Sequence, residues 1–165
     1  MKKHLIVLLL ITLILSSTGC IDVYLGKEML GGRVEKEKYK TVEKAEMSYA
    51  FETVPPNSEN TKYSDSRDFS IKKETVWIHV NIDYDQAAGV PNPLNVYRHL
   101  TVTVFSDKYN QTWTYNDTAQ DIKVVESPPS GSWKIEIEAE GVGYLDYKDS
   151  FTVTVFAKEP YRPSS

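Results

Sequence analysis

The 165-residue sequence predicts an all-β fold: a two-sheet antiparallel sandwich of about eight strands, jelly-roll-like in arrangement. Three observations carry that expectation. Apolar and polar side chains alternate one by one along several short segments, which places each apolar set on one face of a pleated strand. Clusters of proline, glycine, asparagine and serine separate those segments at short intervals. Beyond the N-terminal apolar run, no long stretch repeats its apolar residues at helical spacing.

Residues 1–19 stand apart from the fold. Lys2 and Lys3 precede an apolar run over residues 5–15, broken only by Thr12, and Ser16-Ser17-Thr18-Gly19-Cys20 follows at once. That is the layout of a secretory signal, and roughly eleven apolar residues fall short of the about twenty that span a bilayer as a helix. Thr18-Gly19-Cys20 resembles the end of the lipobox of prokaryotic lipoproteins, with a departure at Ser17, where that pattern has leucine. The resemblance implies lipid attachment at Cys20, the chain's one cysteine, and export to the outer face of the cell membrane. Each buried acyl methylene would contribute about 0.8 kcal/mol to such an anchor. An ordinary cleaved signal and an uncleaved anchor helix are the alternatives.

Cleavage before Cys20 leaves 146 residues, enough for one domain with a substantial core. Losing Lys2 and Lys3 leaves 17 basic against 23 acidic side chains, a net charge of −6. An acidic surface argues against nucleic acid as a partner and against electrostatic docking on anionic lipid. Residues 20–44, with Gly26, Gly31, Gly32 and a mixed-charge run, are expected to form a tether.

The sandwich is expected over residues 45–157. Ala45, Met47, Tyr49 and Phe51 alternate with Glu46, Ser48 and Glu52 in a first strand, which Pro55-Pro56 ends. Residues 57–67 read as a polar loop, and Phe69 and Ile71 as a short strand. Over residues 75–85, Val76, Ile78, Val80 and Ile82 face one way, and Trp77, His79, Asn81 and Asp83 the other. Gly89, Pro91 and Pro93 make residues 86–95 a loop. Leu100, Val102 and Val104 resume the alternation over residues 99–105, and residues 112–115 return as the hairpin partner. Ile122 and Val124 mark another strand before the turn Pro128-Pro129-Ser130-Gly131. Trp133, Ile135, Ile137 and Ala139 then alternate with Lys134, Glu136, Glu138 and Glu140, and Phe151, Val153 and Val155 with Thr152 and Thr154. These last two segments are expected to form a hairpin through flexible backbone at Gly141 and Gly143. Residues 45–53 are expected to pair with residues 150–157, and the tail 158–165, with Pro160 and Pro163, to fray.

From about Tyr49 to Phe156 the segment order is similar to the bacterial and archaeal pre-peptidase C-terminal domain, a jelly-roll module appended to secreted proteins. The likeness rests on Asp68-Phe69-Ser70-Ile71, the long strand after it, residues 100–107, and Ser130-Gly131-Ser132-Trp133. It implies a core position for Trp133 and an accessory or binding role, and it brings no catalytic residues. The long loop 85–95 and the free-standing context depart from that module, which usually accompanies a protease.

Neither His79 nor His99 sits in a nucleophile motif and there is no G-x-S-x-G, so no enzymatic activity is expected. His79, His99 and Asp83 lie on outward faces and would converge on a transition metal only if their strands were neighbours. Asp83 and Asp85 offer oxygen ligands but no D-x-D-x-D-G pattern, so neither a metal nor another cofactor is expected. Trp77, His79, Phe105 and Phe156 face outward by alternation and form the candidate face for a ligand or partner. The bland alternative is that the loop 57–67 or the N-terminal segment covers those rings. Asn110-Gln111-Thr112 and Asn116-Asp117-Thr118 are N-glycosylation sequons in or beside turns. The sequence thus predicts a lipid-anchored, extracytoplasmic, non-catalytic module that binds carbohydrate or protein. A structural or accessory subunit of a cell-envelope complex is the alternative, and a metal-binding protein a remote one.

Overall fold

Alternation along the chain becomes ten strands in the computed structural model, which describes residues 38–53, 60–89 and 96–161. The signal segment, Cys20, most of the expected tether and residues 162–165 lie outside the described residues. The strands are β1 (Lys38–Ala50), β2 (Lys62–Ile71), β3 (Trp77–Asp85), β4 (His99–Ser106) and β5 (Tyr109–Tyr115). They continue as β6 (Ala119–Glu126), β7 (Gly131–Glu140), β8 (Gly143–Tyr144), β9 (Tyr147–Lys148) and β10 (Ser150–Tyr161). The described residues contain no helix.

Eight long strands form two antiparallel sheets, β1-β10-β3-β6 (sheet I) and β2-β7-β4-β5 (sheet II). β8 and β9 make a separate two-residue ribbon. The pairs β1·β10, β2·β7, β3·β6 and β4·β5 are nested, so the long strands pair first with last and inward to the middle. A hairpin of four nested pairs rolled into two sheets is a jelly roll. As expected, residues 45–50 pair with β10, from Ala45 opposite Val155 to Ala50 opposite Ser150.

The core forms where the apolar faces of the two sheets meet. Ile78, Val80, Ile82, Val153 and Val155 of sheet I are buried, as are Leu100, Val102, Val104, Ile135 and Ile137 of sheet II. Each such side chain contributes roughly 1.5–3 kcal/mol when fully buried. Trp133 is buried as expected, stacked against Phe69 with ring centroids 6.3 Å apart. Its indole N–H donates to the Pro129 carbonyl at 2.9 Å, so the one polar atom of the side chain is satisfied.

Four expectations are corrected. β7 and β10 do not form a hairpin: β7 lies between β2 and β4 in sheet II, and β10 between β1 and β3 in sheet I. Both strands are therefore paired on both edges, and their apolar faces meet across the core. Gly141 and Gly143 are needed for close approach, since neither adopts a positive φ. A Cβ on Gly141 would fall 2.5–2.9 Å from the Phe51 ring, and one on Gly143 2.6 Å from the Glu52 carbonyl carbon. The expected loop 57–67 ends early, because β2 begins at Lys62. As the edge of sheet II it keeps most of its first half exposed, so a polar stretch there needs no apolar face.

The fourth correction concerns the ends. Residues 38–44 extend β1 back into the expected tether, and residues 158–161 extend β10 into the expected fraying tail. The buried Glu159 carboxylate explains both, with Lys44 Nζ at 2.6 Å and Lys72 Nζ at 3.4 Å. The register of β1 against β10 shifts between Glu43 and Ala45, at Lys44, in the manner of a β-bulge. On the opposite edge, Asp121 and Lys123 form an ion pair at 2.6 Å, and Asp121 accepts the Tyr115 hydroxyl of sheet II at 2.9 Å. Bulges and charges turned inward discourage further strand pairing at both edges of sheet I.

Candidate functional site

The strand registers lay out the solvent side of sheet I in cross-strand rows. Glu43, Phe156, His79 and Val124 form one row. Glu46, Thr154, Asn81 and Ile122 form the next, and Ser48, Thr152, Asp83 and Gln120 the one after. Trp77 lies beyond His79 along β3, opposite Glu126. Directly opposed side chains in neighbouring strands are about 4.5–5.5 Å apart at Cβ, so neighbours within each row are in contact range.

At one end of this face the rows are ring-bearing and apolar. Trp77 and His79 are half-buried and stack with centroids 3.7 Å apart and planes 16° from parallel. Phe156 is half-buried beside His79, and Val124 and Ile122 on the edge strand are 49% and 58% exposed. Toward the other end the face becomes polar. An open groove of about 560 Å³ is lined by Asn81, Asp83, Gln120, Ile122, Thr152 and Thr154, together with Ile82 and Asp121. A second hollow of about 380 Å³ continues it past Asp83 to Asp85, Thr118 and Ser150. Among the described residues, neither Asp83 nor Asp85 forms an ion pair, and Asp85 accepts the Thr118 hydroxyl at 3.5 Å.

Of the four side chains expected on one outward face, three share a sheet. Trp77, His79 and Phe156 meet on sheet I, whereas Phe105 is on β4, on the solvent side of sheet II, with Lys134 Nζ 6.0 Å from its ring centroid. Alternation identifies an outward residue but not the sheet it belongs to. Residues 62–67 cannot cover the rings as a loop, being strand in sheet II. His79 and His99 are on strands of opposite sheets, so they do not converge with Asp83. His99 Nδ1 lies 2.8 Å from the Tyr97 carbonyl oxygen. Among the described residues no three histidine, cysteine or carboxylate groups are placed to hold a metal.

The two sequons differ in their surroundings. Asn110 is exposed near the start of β5, while the Asn116 side-chain oxygen accepts the Tyr97 hydroxyl at 2.9 Å and its backbone carbonyl accepts Gln86 Nε2 at 2.8 Å.

One buried cluster escaped sequence reasoning. Asp149 is fully buried and accepts from Arg98 Nε at 2.7 Å and from Arg98 Nη2. It also accepts the backbone N–H groups of Ala87 at 3.0 Å and Val142 at 2.8 Å. The Asp149 hydrogen bond is the leading reason that the Arg98 pKa is raised. Tyr84 lies alongside, buried, its phenol pushed up to about 12 chiefly by desolvation, with Gln86 Nε2 donating to it at 2.9 Å. This network ties residues 86–87, Arg98 and the β7–β8 connection together at one end of the sandwich. With every carboxylate oxygen engaged, it is a structural clamp.

No protein-family model matches the chain, and no curated protein matches it.

Proposed function

We propose that this chain is an exported, lipid-anchored, non-catalytic binding module whose recognition face is the solvent side of sheet I. The observation that carries this reading is the band formed by the stacked Trp77–His79 pair, Phe156, Val124 and Ile122 beside an open polar groove. Large side chains exposed together on a monomer surface mark interaction sites. The anchor rests on the resemblance of Thr18-Gly19-Cys20 to a lipobox. An accessory role in an envelope complex uses the same face, since Ile122 and Val124 would then lie beneath a partner protein.

The test is binding of the labelled full-length chain to cell-envelope fractions. Ile122→Lys and Val124→Asp place charge on exposed positions and should weaken binding about tenfold or more, about 1.4 kcal/mol, without unfolding the domain. Phe105→Ala, on the other sheet, should leave binding unchanged. Equal binding by wild type and both sheet I variants would remove this face from the reading. Mass spectrometry of the membrane fraction tests the anchor: Cys20 should be N-terminal and acylated, and a soluble product cut after Cys20 would refute it.

A further inference from the structure

We infer that the ligand of this face is a neutral polysaccharide chain lying along the groove, its sugar rings against Trp77 and its hydroxyls among the polar groups beyond; the inference rests on the solvent side of sheet I being the recognition face.

The order of residues along three adjacent strands points to that class. β3 presents Trp77, His79, Asn81, Asp83 and Asp85 in succession. β10 runs alongside with Phe156, Thr154, Thr152 and Ser150, and β6 with Val124, Ile122 and Gln120. Rings and aliphatic groups at one end thus give way to amides, hydroxyls and carboxylates at the other. A pyranose has the matching duality, with C–H groups on its flat faces and hydroxyls around its rim. The electron-rich face of an aromatic ring attracts the positive edge of C–H groups. Sugar hydroxyls both donate and accept. Asn81 and Gln120 amides and threonine hydroxyls can answer in either sense, and Asp83 accepts.

A protein partner fits this surface less well. Centres of protein interfaces are depleted in charge, and burying Asp83 and Asp85 without partners would carry a desolvation cost. A polyhydroxylated chain supplies donors to those carboxylates. Charge narrows the class further. Among the described residues neither hollow is lined by lysine or arginine. Lys158 follows Phe156 on the same face beside Trp77, but Asp83 and Asp85 make the groove itself anionic, so uronates and sulfated sugars are disfavoured along it. Length argues against a single sugar: from Trp77 to Asp85 the strand covers about 26 Å at about 3.3 Å per residue, room for several linked units.

The experiment titrates the full-length chain with neutral hexasaccharides of glucose, mannose, galactose, xylose and N-acetylglucosamine, and with a galacturonate hexasaccharide as the anionic probe. Tryptophan fluorescence and calorimetry report binding. At least one neutral hexasaccharide should bind, about tenfold or more tighter than the galacturonate. Trp77→Ala and Gln120→Ala should each weaken it about tenfold, and Gln120, being exposed, can be changed without risk to the fold. Absence of binding by every neutral probe, or preference for the galacturonate, overturns the inference. If an envelope protein instead binds and Ile122→Lys abolishes its capture, the recognition face stands and the saccharide does not. Saccharide binding indifferent to Trp77, Gln120 and Ile122 would overturn both.

Discussion

Asp149→Ala is the sharpest perturbation of the folded state. The carboxylate is fully buried, holds Arg98 through two hydrogen bonds and accepts two backbone N–H groups. Removing it leaves a largely buried guanidinium without its counter-charge, a loss of about 3–5 kcal/mol for a broken buried pair. Orphaning the Ala87 and Val142 N–H groups adds about 1–3 kcal/mol each where water cannot reach them. Contributions within one network do not add fully, and relaxation at the end of the sandwich recovers part, so about 4–5 kcal/mol is expected. For a folded span of about 125 residues the unfolding entropy is about 0.26 kcal/mol/K, which converts that loss to a fall in Tm of about 15–20 °C. Thermal and guanidinium unfolding followed by circular dichroism would measure it. Arg98→Met should also destabilise, and the double variant should cost at least about 1 kcal/mol less than the two singles together. A loss below about 1 kcal/mol for Asp149→Ala, or simple additivity in the cycle, would refute the clamp.

Other outcomes follow from the same structure. Burial pushes the Glu159 carboxyl up, but the Lys44 hydrogen bond, the Lys72 N–H and both ammonium charges outweigh it, leaving the pKa below its ordinary value of 4.5. The ionised carboxylate therefore contributes stability fully at neutral pH, and this is lost as pH falls below 4.5 through the folded-state value. Glu159→Gln should flatten that acid limb in denaturation curves taken from pH 7 to pH 3, and an unchanged slope would contradict the assignment. Gly143→Ala should destabilise by about 1–3 kcal/mol in guanidinium melts, because its Cβ meets backbone that cannot rotate away; a neutral effect would mean the approach is looser than described. Trp133→Ala should cost about 3–5 kcal/mol as a core deletion, and Trp77→Ala less than about 1.5 kcal/mol as a half-buried surface change. Similar losses from the two would place Trp77 in the core.

What the sequence made legible is what depends on local alternation. The inward sets of β3, β4, β7 and β10 could be read directly because each strand buries one face and shows the other, except that Val76 precedes β3 and is exposed. The closure of residues 45–50 onto β10 was legible for the same reason, both segments carrying matched apolar sets. Partnership between other strands was not. Gly141 and Gly143 look like a hairpin turn, yet they permit close packing against Phe51 and Glu52 while the chain crosses from one sheet to the other. The starts of β1 and β2 and the end of β10 were hidden for two reasons. Glu159 of β10 meets Lys44 and Lys72 through polar contacts distant in sequence. β2, an edge strand mostly exposed over its first half, shows no apolar face there. Three of the five side chains of the candidate band were visible in the outward positions of Trp77, His79 and Phe156. Ile122 and Val124 were recognised as strand residues, but their exposure depends on Asp121 and Lys123 turning inward toward Tyr115, which no local pattern reveals.

The most direct test of the proposed recognition face is amide hydrogen exchange of the full-length chain with and without cell-envelope fractions. Slowed exchange should map to β3, β6 and β10, centred on residues 77–83 and 120–124. Protection confined to β4 and β5 around Phe105 and Trp113, or to the Tyr144–Tyr147 turn, would contradict it.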